Sequence, residues 1–385
     1  MRYLVALAFL LFIPRFADAQ WTDNIDISGY FQGNPVFFTV DLPAPIGSEN
    51  WMEYRLQNRL NLRWDISESV NFHWQMRTRA FFGDLVQDFP GYADQIDTDD
   101  GLVNLSWMAV SRDKWLLHYL PDRLYFQWAK GDWDIRVGRQ RVNWGINMIT
   151  NPNDLFNIYS FYEFDYRERP GSDAIRIQRH IGFGERIELA VSPARSLNES
   201  IFAALYGFDF RDYDVQVIGG YYRNRLTAGG GWAGNLGEAG FKGELMFYTD
   251  LQDRVGQRSS NLVGALSGDY IFSSGLFVIG EFLYNHDGGI DDLILVAERF
   301  RPDNPSLSRY QFTVQLSYPL NPLIDLVYAN VYYPDEKAVF LSPGFNWSVI
   351  EDLDFQLIGQ IFVGSSDSAL SSAASLVTAS LRYSY

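Results

Sequence analysis

The sequence predicts an all-β protein, a transmembrane antiparallel β-barrel of about 18 strands (roughly 16–20). Three observations lead there. Polar and apolar residues alternate with a period of two through most of the chain, as they do in strands with two unlike faces. Beyond the N-terminal region, no segment approaches the roughly 20 apolar residues of a membrane helix. Aromatic residues make up 16% of the chain, yet 20% is charged and the average hydropathy is slightly polar. Half of each barrel strand faces lipid and half faces water, so a chain-wide average conceals the membrane.

At the N-terminus, Arg2 precedes an uninterrupted apolar run over residues 3–13, followed by Ala17-Asp18-Ala19. A positive residue, a short apolar run and a small-x-small site make a secretory signal peptide, expected to span residues 1–19 with cleavage before Gln20. The run is too short to span a bilayer as a helix. The sequence contains no Cys, which removes both a lipoprotein anchor and a disulfide framework. Residues 20–385 then read as a single barrel domain without a linker or shift of composition.

The clearest hairpin comes early. Tyr54, Leu56, Leu60, Leu62 and Trp64 alternate with Arg55, Gln57, Arg59, Asn61 and Arg63; after a Ser67-Glu68-Ser69 turn, Val70, Phe72, Trp74 and Met76 alternate with His73, Gln75, Arg77 and Arg79. Residues 310–318 and 354–363 repeat the pattern, whereas 277–284 and 323–333 alternate poorly. Residues 111–123 can be read as one strand, two short ones or a loop. A soluble β-sandwich alternates too, but other features favour a barrel. Short turns at 273–275, 319–322 and 350–353 contrast with long polar loops at 83–101 and 287–308, matching short periplasmic turns and long outer loops. Tyr221-Tyr222, Tyr332-Tyr333 and Trp347 stand at strand ends, where aromatic girdles belong. The chain stops on Leu381, Tyr383 and Tyr385 in one row; such a strand is the expected handle for the barrel assembly machinery. Outer-membrane lipid is the expected surrounding.

Charge fixes which row faces inward. An arginine at mid-bilayer on the lipid face costs about 2–4 kcal/mol, so Arg55, Arg59, Arg63, Arg77 and Arg79 point into the lumen. Arg136 and Arg176 do so by the same parity, set against Ile135, Val137, Ile175 and Ile177. A candidate partner follows residues 133–141. The 143–173 segment carries Asn153, Asp154, Glu163, Asp165, Glu168 and Asp173 among many aromatic residues. A loop that apolar needs burial, and a wide barrel offers it inside; the other reading is an ordered external loop packed on its neighbours.

Arg123-Leu124-Tyr125-Phe126-Gln127-Trp128, the turn Lys130-Gly131-Asp132, and Ile135-Arg136-Val137-Gly138-Arg139-Gln140 resemble the segment before the constriction loop of bacterial porins. The continuation from Arg141-Val142-Asn143-Trp144-Gly145 to Arg169-Pro170-Gly171-Ser172-Asp173 is similar to porin-like proteins, most of them uncharacterised. The resemblance implies passage of small hydrophilic solutes, with Arg136 and Arg139 in the pore wall and loop carboxylates opposite. The loop here is longer and more aromatic than in general porins, which argues against unselective diffusion.

Two other classes compete. An outer-membrane hydrolase needs an activated nucleophile, and only His73, His118, His180 and His286 are available, with no Gly-x-Ser-x-Gly elbow and no His/Cys metal spacing. The expectation is therefore no enzyme, no cofactor and no metal. A plugged barrel acting as receptor, adhesin or assembly factor is the second rival, with the aromatic loop as plug. A net charge of −16 argues against nucleic acid, and a homo-oligomer stays open, because lipid-facing and subunit-facing residues look alike.

Overall fold

Alternation becomes pairing along almost the whole chain. The computed structural model describes residues 24–42, 47–99, 101–157, 168–251, 260–288, 300–365, 368 and 375–385; the expected signal peptide lies outside them. The strands are β1 (Ile25–Leu42), β2 (Gly47–Ser67), β3 (Val70–Gly83), β4 (Trp107–Arg112), β5 (Trp115–Lys130) and β6 (Trp133–Gln140). There follow β7 (Ser172–His180), β8 (Arg186–Ser192), β9 (Ile201–Phe210), β10 (Tyr213–Tyr222), β11 (Arg225–Leu236), β12 (Ala239–Asp250) and β13 (Ser260–Ile271). The last are β14 (Phe277–Asn285), β15 (Tyr310–Asn321), β16 (Ile324–Tyr333), β17 (Ala338–Ile350), β18 (Leu353–Gly364) and β19 (Ser375–Ser384). Two single-turn helices, α1 (Asp84–Asp88) and α2 (Tyr92–Ile96), interrupt the connection after β3.

Each strand pairs antiparallel with its neighbour, and β19 closes on β1. The early hairpin has the expected register, with Arg59 opposite Arg77 and Arg63 opposite His73. The ambiguous stretch resolves into the end of one strand, a tight turn and the start of another. β4 turns back into β5, which pairs with β3 along one edge. Along its other edge β5 meets β4 at Tyr119 and β6 from Leu124 onward. The short β4 and β6 share one place in the wall, so nineteen strands make a closed barrel of 18 staves.

The outer face is apolar. On β15, Tyr310, Phe312, Val314 and Tyr318 are exposed while Gln311 and Thr313 are buried. Large side chains such as Val217, Leu245, Phe247, Leu357 and Val377 repeat this around the wall. Water would make such a surface costly at about 25 cal/mol per Å²; lipid removes that cost. Among the described residues no helix is long and apolar enough to cross a membrane, and the crossings are made by strands. The paired tyrosines divide: Tyr221 and Tyr332 lie in the outward rows, whereas Tyr222 and Tyr333 point inward and are fully buried. Only one of each pair can therefore serve a girdle.

Among the described residues the inner face holds three apolar clusters. The largest joins Val142, Trp144, Leu155 and Phe156 to inward residues of β7–β10 and β12–β14, among them Ala190, Leu205, Met246 and Leu283. Phe300 and Leu307 pack on Val331, Tyr333, Ala338 and Phe340. Leu85 of α1 packs on Val36, Phe38 and Leu376. The strands that alternate poorly are explained by this filling. The inward rows of β14 and β16 carry Leu283, Val331 and Tyr333 because chain, rather than water, covers them.

Candidate functional site

The inward arginines form a band on consecutive strands, each arginine set by its strand's pleat. Arg59 is almost fully buried and grips Asp122 of β5 at 2.7 and 3.1 Å, with Gln75 Oε1 and Asn61 Oδ1 taking its remaining donors. Arg55 pairs with Glu53, which also accepts from the Tyr92 hydroxyl of α2. Arg77 is buried beside them, and Arg79 Nη2 meets His118 Nδ1 at 3.0 Å. Nearer the turn end, Arg63 pairs with Asp65 at 2.9 Å and Arg136 with Asp134 at 3.0 Å. Their side chains keep 51% and 26% of their surface open to solvent, more than those of Arg55, Arg59 and Arg176. Arg176 binds Glu188 at 2.8 Å, and Arg186 reaches the same carboxylate at 3.2 Å. A band this basic is held by interleaved acids, since like charges at cross-strand spacing repel.

The motif before the inner loop has a separate structural reason at each residue. Gly138 takes φ +123°, where a Cβ would lie 2.3 Å from the Leu124 carbonyl oxygen, so only glycine fits. Gln140 points inward and donates to the carbonyls of Arg136 and Ala174 at 3.0 and 2.9 Å, satisfying backbone where the strand ends. Arg139 departs from the expected pore wall. It lies in the outward row with Trp133, Ile135 and Val137, and its register partner is Asp173, outward beside Ile175. Arg139 donates to Asp173 at 2.8 Å, to Asp99 at 2.7 Å and to the Val103 carbonyl at 2.8 Å. Asp99, Gly101 and Val103 lie against the pair. Arg139 and Asp173 thus staple an outer loop to the wall at the place where β6 gives way to β4.

Beyond Gln140 the chain turns into the barrel. Val142 and Trp144 are buried, and the Trp144 indole N–H donates to Glu188 Oε2 at 3.0 Å. Gln216 of β10 donates to the Trp144 carbonyl at 2.6 Å. Further along, the backbone N–H groups of Ile146, Asn147 and Asn153 donate to Glu244 of β12, and that of Thr150 donates to Glu281 of β14. These strands are six and eight places along the sheet from β6, so the segment reaches across the interior. Gly231 makes room for it, since a Cβ there would lie 2.9 Å from Ile146 Cδ1 and 3.0 Å from Asn153 Nδ2.

The expected loop residues separate into four groups, one of them Asp173, which belongs to β7 and faces outward against Arg139 rather than into the lumen. Asn153 and Asp154 are buried on the side of the loop that packs on the wall, away from the arginine band. Asp154 accepts from Arg169 at 3.5 Å and from the Trp144 amide at 3.4 Å; burial pushes its carboxyl up to about 7, against the pull of Arg169 and Arg141. Glu168 does face the band: it lies 3.8 Å from Arg59 and accepts from the Tyr30 hydroxyl at 3.1 Å. Glu163 and Asp165 lie outside the described residues. The sequence reading missed Glu188, Glu244 and Glu281. Glu281 is an isolated acid between Ile279 and Leu283 in the inward row of β14, and that contrast was the available signal; Glu188 shares its row with Arg186, and Glu244 shares its row with Lys242 and Asp250.

His118, the histidine beside a serine, is not placed as a base for it. His73 stacks on Tyr125 with ring centroids 4.6 Å apart. His118 Nε2 lies 2.7 Å from Ser106 Oγ, which donates to Asp97. With a guanidinium donating to Nδ1, the neutral imidazole carries its proton on Nε2 and faces the serine as a donor. His286 Nδ1 meets the Tyr284 hydroxyl at 2.9 Å.

No protein-family model and no curated protein sequence matches the chain. Solved structures do. OccAB2 of Acinetobacter baumannii superposes with a TM-score of 0.58 at 9% identity, covering 94% of this chain and 98% of that one. The outer membrane protein OprD from Pseudomonas aeruginosa gives 0.56 at 9% identity, covering 93% of both chains. The fold is that of a porin-type outer-membrane barrel. Pseudomonas aeruginosa OccK9 (OpdG) agrees, with a TM-score of 0.55 at 10% identity over 94% of this chain and 98% of that one. At such identities the likeness carries the porin-type fold alone, and the interior described above carries what distinguishes this barrel.

Proposed function

We propose that the chain is an outer-membrane channel for passive passage of small hydrophilic solutes, its lumen narrowed by the 143–173 loop facing an arginine-lined wall. One observation carries this reading. The apolar residues of the inner loop pack on inward residues of β7–β10 and β12–β14, whereas Arg63 and Arg136, whose side chains keep 51% and 26% of their surface open, belong to β2 and β6. The side left to solutes is therefore polar and basic, and low-dielectric walls focus the field of such a band across the path. Glu168 beside Arg59 supplies opposite charge at that boundary.

The test is single-channel conductance of the refolded mature protein in a planar bilayer, with the reversal potential measured under a salt gradient. Stable conductance with an ion preference is expected. The loop's apolar docking favours a second reading, a plugged barrel serving as receptor, adhesin or assembly factor. Reproducible silence from a correctly inserted barrel would select it. Residues 1–19 as export signal, the β19 end as handle for the barrel assembly machinery, and assembly into a homo-oligomer belong to the same proposal.

A further inference from the structure

We propose that Glu244 and Glu281 are positioning residues that latch the inner loop by its backbone and so set the width of the passage. The inference rests on the channel reading given above. Glu244 receives three loop amides on two oxygens: Ile146 and Asn147 donate to Oε1, and Asn153 donates to Oε2 at 2.8 Å. Glu281 receives the Thr150 amide at 3.0 and 3.2 Å and the Asn147 side-chain amide at 3.0 Å. Both carboxylates are nearly inaccessible, and Ser267 between them donates to Asn147 Oδ1. A loop without regular structure must place its backbone donors somewhere when it leaves water. Here two wall acids take four of them, and charge-assisted bonds of this kind are about twice as strong as neutral ones.

The latch reads main chain, which separates the loop's position from most of its side chains. Among the described residues the buried side-chain amide of Asn153 has no hydrogen-bond partner on either atom, although its backbone N–H is held. Ile146 contributes its amide in the same way. Residues 146–153 can therefore vary in sequence, and with it the surface shown to solutes, while the two glutamates keep the loop in one place. Asn147, Thr150 and Asn151 are the exceptions, because their side chains are themselves bonded.

The chain has no native cysteine, so Ile149→Cys, at a position that is 7% exposed, reports release of the loop through its rate of modification by a soluble thiol reagent. In this background, Glu244→Ala combined with Glu281→Ala should make labelling fast and raise single-channel conductance. Glu244→Gln, which keeps one acceptor and turns an amide donor toward the backbone donors, should give intermediate labelling. Ile146→Ala and Asn153→Ala should leave labelling slow. Unchanged protection in the double alanine variant of a heat-modifiable, inserted barrel overturns the latch, as does release by Asn153→Ala equal to that by Glu244→Ala. Fast labelling with unchanged conductance keeps the latch and removes the constriction reading instead.

Discussion

Arg139 and Asp154 show how far single residues could be read before the fold was in view. The period of two already placed Arg139 with Ile135 and Val137, on the side facing away from the lumen. The motif resemblance assigned it to the pore wall, and an arginine facing lipid is costly. The cost is avoided in another way: Asp99 and Asp173 neutralise it, a partnership that no local pattern encodes. Asp154 was legible as a loop acid but not as a buried one. Its carboxyl holds a proton up to about 7, against 3.8 for the ordinary group. Protonation therefore favours the docked loop: that contribution is full below about pH 4 and is lost as pH rises through about 7. Hydrogen exchange over residues 142–157, corrected for the intrinsic rate, should be slower at pH 5.5 than at pH 8, and Asp154→Asn should abolish the difference. Equal protection in the parent protein at both values would show that Asp154 titrates as an ordinary surface acid.

Elements were legible where water touches one face and lipid the other, as in β2, β3, β15 and β18, and blurred where the interior is filled. β14 and β16 broke the alternation because Leu283 and Val331 meet chain on the inner side. A break of this kind is itself a marker of lumen filling, recognisable once a barrel is assumed. Trp144 anchors the largest filled region, edge-on to Phe156 with ring centroids 5.1 Å apart. Trp144→Ala should cost the loop about 3–5 kcal/mol of packing, measurable as lost exchange protection over 142–157 with the strand amides unchanged. Parallel loss in the strands would mean that the loop and the wall unfold together. Proline marks another weak place. The β1–β19 ladder passes from Gly33–Leu381 to Val36–Thr378 across Pro35, and the β17–β18 ladder from Leu341–Ile361 to Gly344–Ile358 across Pro343. Each proline removes a ladder donor, and the Thr378 hydroxyl donates to the Pro35 carbonyl at 3.0 Å. The β18–β19 hairpin lies between the two gaps and should exchange its amides faster than the β11–β12 hairpin.

For the whole molecule, the sign of the net charge says little about the path. A chain of net charge −16 carries Arg55, Arg59, Arg63, Arg77, Arg79, Arg136 and Arg176 on one inward arc and much of its acid in loops and turns. Selectivity follows the local field of that arc, within a Debye length of about 8–10 Å at ordinary ionic strength. Which arginines are worth reversing depends on burial. Arg59→Glu would set a new carboxylate against Asp122 in a site where both partners are almost inaccessible, and removing one member of a buried pair costs about 3–5 kcal/mol. A change in current from that variant would be confounded with misfolding, and Arg77, buried alongside, shares the problem. Arg63 and Arg136 remain open to solvent while facing the lumen. Arg63→Glu and Arg136→Glu should therefore assemble normally and shift the reversal potential under a salt gradient toward cation preference. The shift should be larger at low salt, where screening is weaker. An unchanged reversal potential in both variants, with conductance intact, would place the conducting path away from the arginine arc and return the solute-facing surface to the loop.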